Sequence, residues 1–131
     1  MPQEDKFKRE IDRISLVLAK LLDLLLGNGQ FSNEEVAHFM QQCDTALSLD
    51  MDEYLRKGKE EGMEYLIENL KFSDDNLRNF GHLLYNLAQK TMNEEQRTTL
   101  REKASHIYEY LVSHNNGTLY LDVLQRMKEL R

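Results

Sequence analysis

A chain of 131 residues is long enough for one domain with a substantial core, and 40% apolar with 31% charged residues suits a folded protein. A net charge of −6 without a basic stripe argues against nucleic acid as a partner. A single cysteine, Cys43, excludes a disulfide framework and a clustered thiolate metal site.

The first element is read from an apolar stripe. Phe7, Ile11, Ile14, Leu18, Leu21 and Leu25 follow at steps of three and four residues, so all six fall along one side of a helix. Val17, Leu22, Leu24 and Leu26 widen the stripe beyond what one neighbouring helix covers. The helix is predicted over Glu4–Leu26, ending at Gly27-Asn28-Gly29, where glycine supplies a left-handed cap. Lys6, Lys8, Arg9 and Arg13 are interleaved with Glu4, Asp5, Glu10 and Asp12, which reads as a solvated face. Lys20 and Asp23 break the apolar run from Ile14 to Leu26, which is too short to cross a bilayer. No secretion-signal plan opens the chain, so the cytoplasm is the expected location.

Ser32 with Glu35 forms a capping box for a second helix, whose apolar face is Val36, Phe39, Met40, Cys43, Ala46 and Leu47. Asp50 and Glu53 make a similar start for the segment 51–71. Gly58 and Gly62 weaken it, so it reads as a short helix near Met51–Arg56, a break, and a longer helix near Lys59–Lys71. Ser73 and Asp74 mark the next turn. A helix over Asp75–Lys90 follows, with Leu77, Phe80, Gly81, Leu84 and Ala88 on one face. Asn93 with Gln96 caps a helix carrying Leu100, Ala104, Ile107, Tyr108 and Leu111, which ends at Asn115-Asn116-Gly117. Thr118 caps a last helix through Leu119, Val123, Met127 and Leu130. Asn116-Gly117-Thr118 matches a glycosylation sequon and is read as a turn. Short connections predict that consecutive helices are antiparallel neighbours.

Phe80-Gly81 on one helix, with Ala104 and Tyr108 on the next, resembles the tetratricopeptide-repeat style, where small residues lie at the crossing of a helix pair. No second copy recurs at a fixed period, so the likeness is one of architecture. Through Glu10-Ile11-Asp12-Arg13-Ile14, Leu18-Ala19, Glu64-Tyr65-Leu66 and Ala104–Leu111 the chain also resembles a group of small bacterial helical proteins of unknown function. That resemblance implies a tetratricopeptide-like fold, nothing catalytic, and no functional residues to carry over.

The histidines and the thiol are the candidates for chemistry. A di-iron bundle needs two Glu-x-x-His motifs, and only Glu35-Val36-Ala37-His38 is present. His38 falls on the far side of its helix from Met40, and His82 lies off its helix's apolar face. His106 flanks its face beside Glu102 and Glu109, and His114 sits in a last turn, where a cation suits the helix dipole. Cys43, on an apolar face, reads as a small buried hydrophobe. Glu34-Glu35, Glu60-Glu61 and Glu94-Glu95 sit near helix starts, favourable for the dipole. Tyr85 and Tyr108 are expected in the core, and Tyr54, Tyr65, Tyr110 and Tyr120 at its margins or outside it.

The expected fold is all-α, one domain over residues 1–131, with about six helices in three successive antiparallel hairpins. The expected function is non-enzymatic: interaction with a protein partner or with a second copy, since two apolar seams need two partners. The candidate interface is Phe7, Ile11, Ile14, Leu18, Leu22 and Leu25, and a homodimer would join two such helices across a two-fold axis. The alternative is a small-molecule binder with an interhelical pocket lined by Met40, Met63, Phe80, Tyr85 and Tyr108. No catalytic residue, cofactor or metal is expected.

Overall fold

A computed structural model describes residues 2–27, 29–114 and 120–130, with side chains from Lys8 onward. They contain seven α-helices: α1 Pro2–Asp23, α2 Asn33–Leu47, α3 Met51–Arg56, α4 Lys59–Glu64, α5 Asp74–Lys90, α6 Glu94–His114 and α7 Leu121–Leu130. A π-helical turn, Tyr65–Asn69, continues α4. There is no named strand among the described residues; Phe31 and Thr91 form an isolated bridge. The expected cap at Asn115-Asn116-Gly117, Thr118 and Leu119 lies outside the described residues, as does the Phe7 side chain.

Local sequence accounts for the helix starts. Ser32 Oγ accepts from Glu35 N–H while Glu35 accepts from Ser32 N–H, both at 3.1 Å, which completes the capping box. Asp50 accepts from Glu53 N–H, Ser73 from Asn76 N–H and Asn93 from Gln96 N–H. Each such cap satisfies a donor that the helix itself leaves open and is worth about 1 kcal/mol. Helix α1 stops at Asp23, short of the expected Leu26. Leu25 and Leu26 N–H groups reach back only three residues, to Leu22 and Asp23 carbonyls, and Gly27 then turns out at φ 106°.

Segment 51–71 breaks at Lys57-Gly58 as its glycines suggest. Its longer helix differs from expectation, because the ladder widens after Glu64. Leu70 N–H bonds to the Tyr65 carbonyl at 3.1 Å, and Phe72 N–H to the Leu66 carbonyl at 3.1 Å, with Lys71 left-handed at φ 59°. That terminal bond reaches back six residues, one more than in a Schellman stop, as the widened turn requires, and Phe72 is buried in the core.

Helix α5 is the centre of the packing. Leu77, Phe80, Leu83, Leu84 and Leu87 are all buried, and α5 packs most widely on α6 and then on α1. Gly81 marks a close approach of α5 and α6: a Cβ there would stand 2.8 Å from Tyr108 Cε1 and 3.3 Å from Ile107 Cγ2. Helix α1 touches α2 as well, but its broader contact is with α5. Ser15 and Asn76 reinforce it, the hydroxyl donating to Asn76 Oδ1 at 2.7 Å. Buried residues from Ile14 to Val123 form one contiguous apolar cluster.

Tyr54 corrects the expectation that it lies at the margin of the core or outside it. It is buried beside Met51, with its ring 5.7 Å from Phe80 and 6.3 Å from Tyr65. Gly62 lies against the ring, where a Cβ would stand in ordinary contact at 3.4 Å from Tyr54 Cε1. Short α3 has too few turns for its apolar face to show as a period, so its burial depends on partners remote in sequence.

Candidate functional site

The α1 stripe is mostly consumed inside the chain. Ile14, Leu18, Leu21 and Leu25 are buried and Leu22 is half-buried, so the expected interface residues Ile14, Leu18 and Leu25 are not available to a partner. The physical reason is the one its width suggested: two seams meet two helices, and the second partner is α5 of the same chain. What α1 and the turn after it leave outward is different. Ile11 is 38% exposed, and Leu16, Leu24 and Leu26 are more exposed still.

Met40, Met63, Phe80, Tyr85 and Tyr108, the expected pocket, are all buried in the core. None of them lines any of four clefts found on the described surface. They are side chains in contact with other core groups rather than walls around a void. The correction has a simple cause, because helical spacing places a residue inward but cannot say whether space remains there.

One cleft is both apolar and firmly built. About 430 Å³ in volume, it lies where the end of α1 meets the start of α2 and is lined by Leu24, Phe31, Ser32, Glu34, Glu35, His38, Phe39 and Gln42. Phe31 and Phe39 form its aromatic wall, with ring centroids 6.3 Å apart. Phe31 N–H donates to the Lys90 carbonyl at 2.8 Å, and Lys90 Nζ donates to the Gly27 and Gly29 carbonyls at 3.0 Å each. The same ammonium lies 5.4 Å from the Phe31 ring centroid. The loop wall is thereby tied to the end of α5, and the helix wall is fixed by the Ser32–Glu35 capping box. Glu34 and Glu35 make the rim acidic, and no lysine or arginine lines the cleft.

Sequence reading missed this site. In the sequence Leu24 only widens a stripe. Phe31 had a usable signal: an apolar residue just before a capping box is the position of a hydrophobic staple, which fixes the chain's entry into the helix.

A second polar assembly lies under α7. Tyr108 O–H donates to His82 Nδ1 at 2.7 Å, and His82 Nε2–H donates to Asp122 Oδ2 at 2.7 Å. His82, expected off the apolar face, is instead largely covered, with 16% of its side chain exposed. Burial holds its pKa below the usual histidine value although Asp122 favours the charged form. Arg78 and Arg126 flank the pair, their guanidinium groups 4.9 Å from the Tyr120 ring and 5.0 Å from the Tyr85 ring. The relay ends on a phenol sealed in the core, so it has no hydroxyl to present to a substrate. Its effect is to hold α7 against α5 and α6.

The other singled-out groups are placed plainly. Cys43 is fully buried, and burial, with Asp44 adding, pushes its thiol up to about 12. His38 is exposed at the cleft, His106 lies 3.8 Å from Glu102, and His114 stacks on Tyr110. Among the described residues no three His, Cys, Asp or Glu side chains converge as a metal site, and no helix is long and apolar enough to cross a membrane. Comparison with protein-family models, with curated proteins and with solved structures finds no match.

Proposed function

We propose that the chain is a non-enzymatic, tetratricopeptide-like helical module that binds another protein chain at the Leu24–Phe31–Phe39 cleft. The observation carrying this reading is a preformed apolar cleft whose two walls are fixed before any partner arrives. Preformed walls reduce the ordering cost of association, so even a small contact can hold an inserted side chain. The close approach at Gly81 and the single contiguous core support one repeat-like domain. A protein segment suits the site better than a small molecule, because pockets for small ligands enclose most of the ligand, and this cleft is open to the surface rather than enclosed.

The test is site-directed cross-linking from Leu24, replaced by a photoreactive amino acid, in cells producing the protein. A protein adduct formed there, and absent when the probe replaces exposed Leu121 on α7, supports the reading. Equal labelling from both positions, or none from Leu24, overturns it.

A further inference from the structure

We propose that α7 is a strap, held down through His82, that lifts off α5 and α6 as a unit when that imidazole takes up a proton, while the rest of the fold stays closed. The first observation is how little apolar cover holds α7. Val123 is its one buried side chain; Met127 and Leu130 are half-buried, and Leu121 and Leu124 are exposed. Helix α5, by contrast, buries Leu77, Phe80, Leu83, Leu84 and Leu87. A ten-residue helix is marginal in water by itself, so α7 depends on its docking to stay helical.

Polar contacts take the place of that cover. Arg78, His82 and Tyr85 follow at steps of four and three along one side of α5, and each meets α7 or the residue before it. The Arg78 guanidinium lies over the Tyr120 ring, His82 Nε2–H donates to Asp122, and the Tyr85 hydroxyl donates to Glu129. Arg101 of α6 reaches the Glu129 carbonyl at 3.4 Å. Partly exposed contacts of this kind are individually weak. His82 differs from them, because its other nitrogen accepts from the Tyr108 phenol inside the core. The hold on α7 thus runs from the core outward through one titratable ring.

The groups facing that ring set the direction of the switch. Burial disfavours the imidazolium, and so do Arg126 from α7 and Arg78 on α5; Tyr108 of α6 needs the unprotonated Nδ1 for its hydroxyl hydrogen. Asp122 from α7 opposes them and does not prevail, since the His82 pKa stays below the usual histidine value. With α7 lifted, water reaches the ring, and a histidine in water takes its proton near pH 6.5, about the unperturbed value. The lifted form therefore binds more protons than the closed one, and falling pH favours it.

The experiment is native-state amide exchange of the full chain, followed residue by residue at about pH 7.5 and about pH 5.5 in low concentrations of urea. Each rate is divided into that of an unstructured amide at the same pH. Amides of α7 should exchange through an opening that depends little on urea, because it exposes little surface, and those of Leu83 and Leu84 on α5 through a steeply dependent one. Protection in α7 should fall about tenfold between the two pH values, the excess of protonated over neutral histidine at the lower one. In His82→Asn that fall should vanish. Val123→Ala, which loosens α7 without removing the imidazole, should lower its protection at both pH values and keep the tenfold ratio. The proposal is overturned if α7 exchanges only together with Leu83 and Leu84. It is equally overturned by α7 protection that is flat between the two pH values, or by a fall that persists in His82→Asn. Should His82→Asn fail to fold, the wild type and Val123→Ala still decide the matter.

Discussion

His82 joins Asp122 of α7 to Tyr108 of α6 through its two ring nitrogens, each at 2.7 Å. Because Tyr108 is fully buried, its hydroxyl hydrogen needs the neutral Nδ1 as acceptor. A proton added to His82 puts two donors face to face at that contact. Burial already holds the His82 pKa below 6.5, with Asp122 opposing and Arg126 and Arg78 adding to the shift.

The sign of the pH dependence follows. Unfolded, His82 binds a proton near pH 6.5; folded, it does so only at lower pH, so the unfolded state holds more protons in between. The stability is present above about pH 6.5 and is lost as pH falls through the folded pKa. His106, lowered by burial and by Lys103, acts in the same sense. Urea midpoints should therefore drop between about pH 7.5 and pH 5.5. The drop should shrink in His82→Asn, His106→Gln and most in the double variant. A midpoint flat over that range would show that neither imidazole is coupled to folding.

Two glycine substitutions should differ sharply. Gly81→Ala places a Cβ 2.8 Å from a Tyr108 ring carbon, and that ring is tethered to His82 by its hydroxyl. Overpacking there should cost about 1–3 kcal/mol, outweighing the helix-propensity gain of about 1 kcal/mol. Gly62→Ala meets Tyr54 at an ordinary 3.4 Å and should be neutral or slightly stabilising. Equal effects in chemical denaturation would refute the close crossing at Gly81.

Lys90 couples the core to the cleft. Lys90→Met keeps much of the side-chain stem but removes both bonds to the Gly27 and Gly29 carbonyls. A loss of about 2–3 kcal/mol is expected for two charge-assisted bonds. Amide exchange at Phe31, whose N–H is held by the Lys90 carbonyl, should quicken in the variant beyond the global change. Unchanged exchange at Phe31 would mean that the loop wall is held by other contacts.

Cys43 serves as a reporter of opening. Its thiol is fully buried and its pKa is pushed up to about 12, so almost no thiolate exists near neutrality. An aromatic disulfide reagent should react slowly with the native protein and at the free-thiol rate in urea. Rapid labelling of the native state would contradict the burial of this face of α2.

Sequence alone was sufficient for what repeats locally. Side-chain oxygens at Ser32, Asp50, Ser73 and Asn93 can start helices with neighbours three residues away, and the stripe from Ile14 to Leu25 states which side of α1 turns inward. These are contacts between residues close in the chain, so spacing encodes them. Tertiary structure decided which helix covers which seam. It set α1 on α5, buried Tyr54, joined His82 to Asp122, and left the expected pocket residues packed in the core with the apolar cleft at Leu24 and Phe31. Each of those outcomes depends on residues tens of positions apart meeting at a few ångströms. No periodicity records such meetings, because they are settled by the packing of whole helices against one another.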